Sequence, residues 1–158
     1  MRLFKKSKKK TGWLSFAIAG DNVFVASVAK TPGAQATVLA VQAATGVSRD
    51  TIDKLAGDAQ AAGRHCTTLL TGGDYQILNV EAPSVPREEM KTAMRWRLKD
   101  VLDFPAAEAT IDVLDIALDA NSRAQQSVFV IAAKNSIIAP RQKLFLDAKV
   151  ELAAIDIP

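Results

Sequence analysis

The stretch from residue 75 to residue 116 constrains the fold most, because it joins a strand, a proline corner, an amphipathic helix and another strand in a fixed order. Pro83 and Pro86 bracket the corner, where their rings fix the backbone. Glu88 and Glu89 follow in the first turn of the helix, and basic residues occupy its later part, as the helix dipole favours. The stretch therefore predicts a mixed α/β architecture.

Strand-like and helix-like runs continue on both sides of this stretch. Ser48 is a suitable N-cap for a helix, and Asp50 favours the positive end of its dipole. Apolar side chains at both parities from Val23 to Val28 predict a strand that is covered on both faces. The predicted strands are 13–19, 23–30, 36–44, 66–70, 75–80, 109–118, 126–134 and 153–157. The predicted helices are 49–62, a second one that begins at Glu88 and is stopped by Asp103, Phe104 and Pro105, and 137–148.

Composition limits the possible classes of protein. With 158 residues, 49% of them hydrophobic, the chain suits one compact domain or two small subdomains. A single cysteine, Cys66, cannot form an internal disulfide, and the first ten residues lack the apolar segment of a secretory signal. No apolar run reaches the roughly 18 residues of a membrane-spanning helix. These observations predict a cytoplasmic protein.

The basic character of the chain is concentrated at its beginning. The formal net charge is +3, yet the chain after residue 10 holds 14 basic and 17 acidic residues. The tail, residues 1–11, has three interpretations: a solvated arm, a contact for anionic lipid or an arm for nucleic acid. Leu3 and Phe4 beside the cations favour lipid over nucleic acid, and we expect no nucleic-acid partner. The lysines assigned to this membrane-surface tail are Lys5, Lys6, Lys8, Lys9 and Lys10.

Several short phrases, in order, resemble one family. They are Val80–Pro83, Arg95–Asp100, Phe104–Pro105, Ile111–Val113, Val128–Lys134 and Ala154–Ile157. The chain resembles the MshI and PilM proteins of type IV pilus machines, with MshI of the MSHA pilus as the closest match. Those proteins share an actin-like fold with the cell-division protein FtsA and the type II secretion protein GspL. Order and spacing over residues 75–157 carry the resemblance.

The resemblance implies an α/β fold, the N-terminal half of an actin-like domain of the PilM and FtsA type, with two small subdomains. After the tail, residues 12–83 form the first subdomain and residues 84–150 the inserted one. Residues 151–158 form a strand that returns to the first subdomain. A second, larger half follows in the family, so we expect the chain to be an N-terminal fragment.

The first hairpin bears on nucleotide chemistry. In actin-like ATPases its first strand ends in a carboxylate, any residue and glycine, where the acid organises hydrated magnesium. Aligning that glycine with Gly20 puts Ile18 at the position of the acid, and Asp21 lies beyond the turn. Gly20, Asp21 and Asn22 then form a degenerate phosphate loop whose role is a hairpin turn. We therefore expect no enzyme activity and no cofactor in this fragment, while ATP binding by a full-length protein stays open.

No other catalytic motif is present in the sequence. His65 and Cys66 are neighbours on a predicted strand, so their side chains point to opposite faces and we interpret both as structural. Asp112, Asp115 and Asp119 match neither a calcium loop nor one strand face. We interpret them as solvated charges and predict no metal site.

Trp96 is the strongest candidate for a binding residue. If Met90, Met94, Leu98 and Val101 form the buried stripe of the helix, the indole lies well to one side of it. Two interpretations remain open: Trp96 covers the core of its own domain and the nearby cations are solvated, or it contacts the neighbouring subdomain or a partner.

The resemblance also implies a partner. It predicts a cytoplasmic scaffold of a type IV pilus platform beneath the inner membrane, which contacts other platform proteins and binds the cytoplasmic tail of a bitopic PilN-like protein in a groove between the subdomains. The candidate binding residues are Tyr75, Arg95, Trp96 and Lys99, and the two cations suit an acidic ligand. The alternatives are an actin-like protein whose bound ATP regulates partner binding and a GspL-like secretion component.

Overall fold

The computed structural model of the protein describes residues 12–29, 35–115 and 127–158. The predictions that lie outside the described residues are the basic tail with its five lysines, the last residue of the strand predicted for 23–30, the end of the strand predicted to reach residue 118, the first residue of the strand predicted for 126–134, and Asp119.

Eight strands and three α-helices are described. The strands are β1 Trp13–Ala19, β2 Asn22–Ala29, β3 Thr37–Thr45, β4 His65–Leu69, β5 Tyr75–Glu81, β6 Ala109–Asp115, β7 Ser127–Lys134 and β8 Leu152–Asp156. The helices are α1 Arg49–Asp58, α2 Met90–Arg97 and α3 Asn135–Asp147, with 3-10 helices at Arg87–Glu89 and Ala106–Glu108. The predicted mixed α/β architecture is confirmed.

The chain forms two compact units: a first unit of Met1–Thr71 with Arg141–Pro158, and a second unit of Gly72–Pro140. This division differs from the predicted boundary at residues 83–84. The reason is the pairing of β5, which runs antiparallel to β7 over its whole length and so belongs to the sheet of the second unit.

The sheet of the first unit has the strand order β3-β2-β1-β4-β8. The strands β1, β2 and β3 form an antiparallel meander, whereas β4 runs parallel to β1 and β8 parallel to β4. One face carries the core, where the rings of Phe16 and Phe145 meet edge to face at 5.2 Å. Aromatic pairs prefer this arrangement, so it fixes the end of α3 against β1.

Helix α1 covers the same face of this sheet. It begins after Ser48, whose hydroxyl oxygen accepts a hydrogen bond from the amide of Thr51 at 3.2 Å, as predicted for an N-cap. Ile52 and Leu55 are buried in the core. The opposite face is less covered than the sequence predicted, because Phe24 on β2 is 39% exposed.

The second unit is a three-stranded antiparallel sheet, in the order β5-β7-β6, with α2 packed on it. Met94 and Leu98 are fully buried against this sheet, together with Val130 of β7. The α-helix ends at Arg97, several residues before the stop predicted at Asp103, Phe104 and Pro105. Val101 therefore leaves the predicted buried stripe and is 53% exposed.

Candidate functional site

Helix α2 presents Trp96 to solvent. Met94 and Leu98 face the core, and a residue two positions from each is rotated by about 200° around a helix of 3.6 residues per turn. The indole accordingly points away from the core, and Trp96 is 74% exposed, more than any other large apolar side chain among the described residues. Of the two interpretations, covering the core of its own domain is wrong, and the role of a partner anchor stays open.

Arg95 connects α2 to the segment that follows it. Its Nη1 donates hydrogen bonds to the carbonyl oxygens of Ala106 at 2.7 Å and Ala109 at 3.1 Å. Both alanines are buried, so these carbonyls lie where a guanidinium replaces water as the hydrogen-bond donor. Pro105, with φ of −58°, begins the 3-10 helix that carries Ala106. Arg95 is therefore a structural cation as well as a surface charge.

A groove lies between these two segments and has a volume of about 450 Å³. One wall belongs to the end of α2 and the other to the 3-10 helix. The lining residues are Arg95, Trp96, Lys99, Pro105, Ala106 and Ala107. The lining combines one large aromatic side chain, small apolar groups and two cations, and it includes no acidic residue. The far wall was not predicted from the sequence, which indicated only that Phe104 and Pro105 end the helix.

Three of the four predicted binding residues, Arg95, Trp96 and Lys99, thus line one groove. Tyr75 does not line it. Tyr75 is the first residue of β5, pairs with Ala133 of β7 and is half-buried. Its assignment to a partner site stays a prediction, and the structure gives it a place in the sheet.

The turn at Gly20 has the geometry of a tight hairpin. Ala19 pairs with Asn22, so Gly20 and Asp21 are the two central residues, and Gly20 has φ of +58°, which glycine adopts without strain. The carbonyl oxygen of Asp21 accepts a hydrogen bond from the amide of Gly46 at 2.7 Å. Ile18 is buried in the core. This geometry accounts for the residues as a turn, and the predictions on ATP and on enzyme activity stay predictions.

Cys66, His65 and Asp112 each have contacts that account for them structurally. Cys66 is buried, and burial raises the pKa of its thiol, with the charge of Arg64 acting in the opposite direction. His65 is exposed, and its ring lies 4.9 Å from that of Trp13. The side chains of His65 and Cys66 therefore face opposite sides of the sheet, as predicted. Asp112 lies 2.7 Å from Lys91, whose hydrogen bond lowers the pKa of the carboxyl.

The first unit has a depression of similar volume, about 440 Å³, near the ends of α1 and α3. Its charged lining residues are of both signs: Asp53, Arg64, Lys149 and Glu151. The other lining residues are mostly alanine and glycine, which offer no large anchor for a ligand. We therefore favour the groove at Trp96 as the candidate site.

Within residues 12–29, 35–115 and 127–158, no group of three or more His, Cys, Asp or Glu side chains is placed to hold a metal ion. None of the helices described there has both the length and the apolar character needed to cross a bilayer.

Comparison with solved structures identifies the fold. A chain of the PilM-PilN type IV pilus biogenesis complex aligns over 91% of this chain, with a TM-score of 0.75 and 19% sequence identity. The chain has a PilM-like, actin-like fold. It covers 46% of the matched chain of that complex, so it spans about half the length of its PilM-like neighbour.

A second neighbour comes from a secretion system. The cytoplasmic domain of EpsL, an inner-membrane component of the type II secretion system of Vibrio cholerae, aligns over 93% of this chain and 57% of its own. The TM-score is 0.65 and the sequence identity 13%. No protein-family profile and no curated sequence matches the chain. At these identities the likeness shows the fold, and function is a separate question.

Proposed function

We propose that this chain is part of a scaffold protein of a type IV pilus assembly platform, of the MSHA type, at the cytoplasmic side of the inner membrane. In this proposal it binds the cytoplasmic tail of a bitopic PilN-like protein and contacts other platform proteins. The observation that carries the proposal is the likeness to the PilM-PilN complex over 91% of the chain. The MshI-like phrases between residues 80 and 157 support the MSHA assignment.

The groove at Trp96 is the proposed binding site for the tail. An interface depends mainly on a few anchors, most often Trp, Tyr or Arg, that are dehydrated on binding. Trp96 is such a residue, and it is dehydrated only if something covers it. Lys99, which is exposed one turn from Arg95, adds a charge at the rim. Arg95 holds the two walls together through its hydrogen bonds to Ala106 and Ala109.

This function requires no catalytic residue. A short extended segment gains affinity from pockets for its side chains and from main-chain hydrogen bonds. The tight turn at Gly20 and the buried Ile18 agree with a role in binding without hydrolysis of ATP.

Isothermal titration of the chain with a synthetic PilN-like tail, with and without magnesium ATP, tests the proposal. We expect saturable binding that is independent of nucleotide. Trp96→Ala should weaken it by about thirtyfold or more, the effect of losing an interface hot spot of about 2 kcal/mol. The matched control is Leu146→Ala in the first unit, because Leu146 is 73% exposed and lies outside the groove.

The outcomes separate the site from the function. Binding that survives Trp96→Ala would retain the scaffold function and reject the groove. Binding only with ATP present would favour the nucleotide-regulated alternative. Absence of binding under both conditions would reject tail docking.

A secretion-platform component is the second candidate function, and the likeness to EpsL favours it. A titration with a second peptide, taken from the cytoplasmic tail of a partner in the type II secretion platform, separates the two functions. Stronger binding of that peptide than of the pilus peptide would reverse our preference.

A further inference from the structure

The guanidinium of Arg95 is only partly used by the contacts of the fold. Its N–H donors lie in one plane and are divided among Nε, Nη1 and Nη2. Both hydrogen bonds of the side chain, to the carbonyl oxygens of Ala106 and Ala109, come from Nη1. Among the described residues, Nε and Nη2 have no acceptor. Those two nitrogens form an edge that can bind a carboxylate through two parallel hydrogen bonds.

The bonds of Nη1 also hold this edge in one orientation. A long side chain that is mobile before binding loses rotamer entropy when a ligand orders it. Arg95 is already fixed on two carbonyl groups of the segment opposite α2, so less of that entropy remains to be lost. Because Arg95 also lines the groove, the groove contains a preorganised donor for a planar anion.

The charge of the groove differs from that of the unit around it. From residue 72 to residue 140 the sequence holds ten acidic and seven basic residues. The lining nevertheless includes Arg95 and Lys99 and no acidic residue, since Asp100 and Glu108 lie outside it. The side chain of Lys99 forms no ion pair within the described part of the chain. The positive charge is therefore confined to the groove and is not neutralised there.

We propose that the tail segment in this groove carries a glutamate or an aspartate next to a large apolar residue. The carboxylate binds the Nε and Nη2 edge of Arg95, and Lys99 adds a second cation one turn away. The apolar side chain covers Trp96 and packs against Pro105 and Ala107, which line the same groove. This inference rests on the proposed function, because it states which chemistry of the tail the groove selects.

An anionic membrane is the other partner that a tryptophan and two cations would suit. The structure favours a peptide for two reasons. Trp96 lines a groove of about 450 Å³, into which a side chain fits and a flat bilayer surface does not. The acidic excess of the unit also repels a bilayer of the same sign, whereas a single carboxylate responds mainly to cations within about 10 Å at 0.1 M salt.

Isothermal titration with variants of the PilN-like tail tests the inference. Each acidic residue of the synthetic tail is replaced in turn by its amide, which keeps the shape and removes the charge. We expect one replacement to weaken binding by about tenfold or more, since a charge-assisted pair of hydrogen bonds is lost. The difference between that variant and the unmodified tail should shrink as salt rises from roughly 0.05 to 0.5 M.

Variants of the chain identify the two cations. Arg95→Lys keeps the charge but lacks the fork, so it should weaken binding of the acidic tail by about tenfold and of the amide tail much less. Lys99→Gln should weaken binding of the acidic tail by about threefold, as expected for an exposed ion pair. The matched control is Lys54→Gln, which removes the same charge from an exposed position on α1 and should have no effect.

A charge swap keeps the test valid if Arg95→Lys folds poorly. Lys99→Glu changes an exposed residue, and its fold is checked by circular dichroism. This variant should bind a tail with lysine in place of the critical acidic residue more tightly than it binds the unmodified tail. The reverse order of affinities would overturn the role of Lys99 beside the carboxylate.

Failure of this inference differs from failure of the proposed function. A tail that binds equally well after every amide replacement, or that binds without any acidic residue, would retain tail docking and overturn the inference. Absence of tail binding would overturn both. Sedimentation with phosphatidylglycerol vesicles that is lost in Trp96→Ala, together with no effect of the amide replacements, would assign the two cations to a membrane and overturn the inference as well.

Discussion

Helices α3 and α2 are held to their sheets in different ways. In the first unit, the end of α3 is fixed by packing: Phe145 is fully buried and meets Phe16, and Ala148 beyond the helix is buried as well. In the second unit, α2 is eight residues long and Met94 is the buried residue within it. Met90 packs in part against the same core, and the helix also makes polar contacts, from Arg95 to two carbonyl groups, from Arg97 to the carbonyl oxygen of Glu81 and from Lys91 to Asp112.

The difference separates a structural role from a binding role. Helix α3 buries its one aromatic ring, Phe145, in the core, and the large apolar side chain that it exposes, Leu146, is aliphatic. A helix that is held partly by polar contacts at its rim leaves a large apolar group, Trp96, available on the outside. We infer that the contacts of Arg95 free the outer face of α2 for binding.

The largest expected effect is on the stability that the packing of α3 contributes. Phe145→Ala should lower the free energy of unfolding by about 3–5 kcal/mol, since it removes a fully buried aromatic ring and leaves a cavity. Urea denaturation followed by circular dichroism measures this effect.

The adjacent residue provides the control for Phe145→Ala. Leu146 is 73% exposed, so Leu146→Ala should change the free energy of unfolding by less than about 0.5 kcal/mol. Equal losses from the two substitutions would show that packing of Phe145 does not fix α3.

The intermediate expected effect is on the stability that the polar contacts of α2 contribute. Arg95→Ala should lower the free energy of unfolding by about 1–3 kcal/mol, because the buried carbonyls of Ala106 and Ala109 lose a charged hydrogen-bond donor. Arg97→Ala is the matched control, since Arg97 is exposed and makes one such bond, to Glu81. A loss from Arg97→Ala as large as that from Arg95→Ala would refute the special role of Arg95.

Arg95→Lys sharpens the same test. Lysine keeps the positive charge but lacks the planar fork of the guanidinium. If geometry matters, Arg95→Lys should lose most of the stability that Arg95→Ala loses. Recovery of full stability would instead indicate that charge alone is sufficient.

The same contrast explains how far the sequence predicts the structure. Apolar periodicity and capping residues depend on local sequence, so most strands and the start of α1 at Ser48 are predicted within one or two residues. The early end of α2 is a tertiary effect. Leu98 continues the apolar stripe in sequence, yet the backbone leaves the helix there and Val101 becomes exposed.

The candidate site is predicted in part for the same reason. Helical geometry places Trp96 off the buried stripe, but it does not decide whether the indole covers the core of its own domain or is exposed. The partner carbonyls of Arg95 lie 11 and 14 residues further along, and no local pattern indicates which backbone groups a guanidinium reaches. The division at Thr71 also depends on long-range pairing, because β5 and β7 are separated by the whole of α2 and β6.

The smallest expected effect is on the stability of the fold at low pH. The hydrogen bond from Lys91 is the largest cause that lowers the pKa of Asp112 below its ordinary value of 3.8, and partial burial acts in the opposite direction. A lowered pKa in the folded state contributes stability that is present above pH 3.8 and is lost as pH falls through the folded-state pKa. Both side chains are 61% exposed, so the contribution should stay below about 1 kcal/mol.

The denaturant midpoints at pH 7 and near pH 3 should therefore differ slightly less for Asp112→Asn than for the unmodified chain. Lys91→Gln should remove most of the same pH dependence, since the hydrogen bond from the amide of Val113 also lowers the pKa of Asp112 and stays in place. The double variant should remove no more than Asp112→Asn alone. Additive losses would show that Asp112 and Lys91 act separately. In that case Arg95 would be the principal polar contact of α2, and the comparison with α3 would rest on that residue.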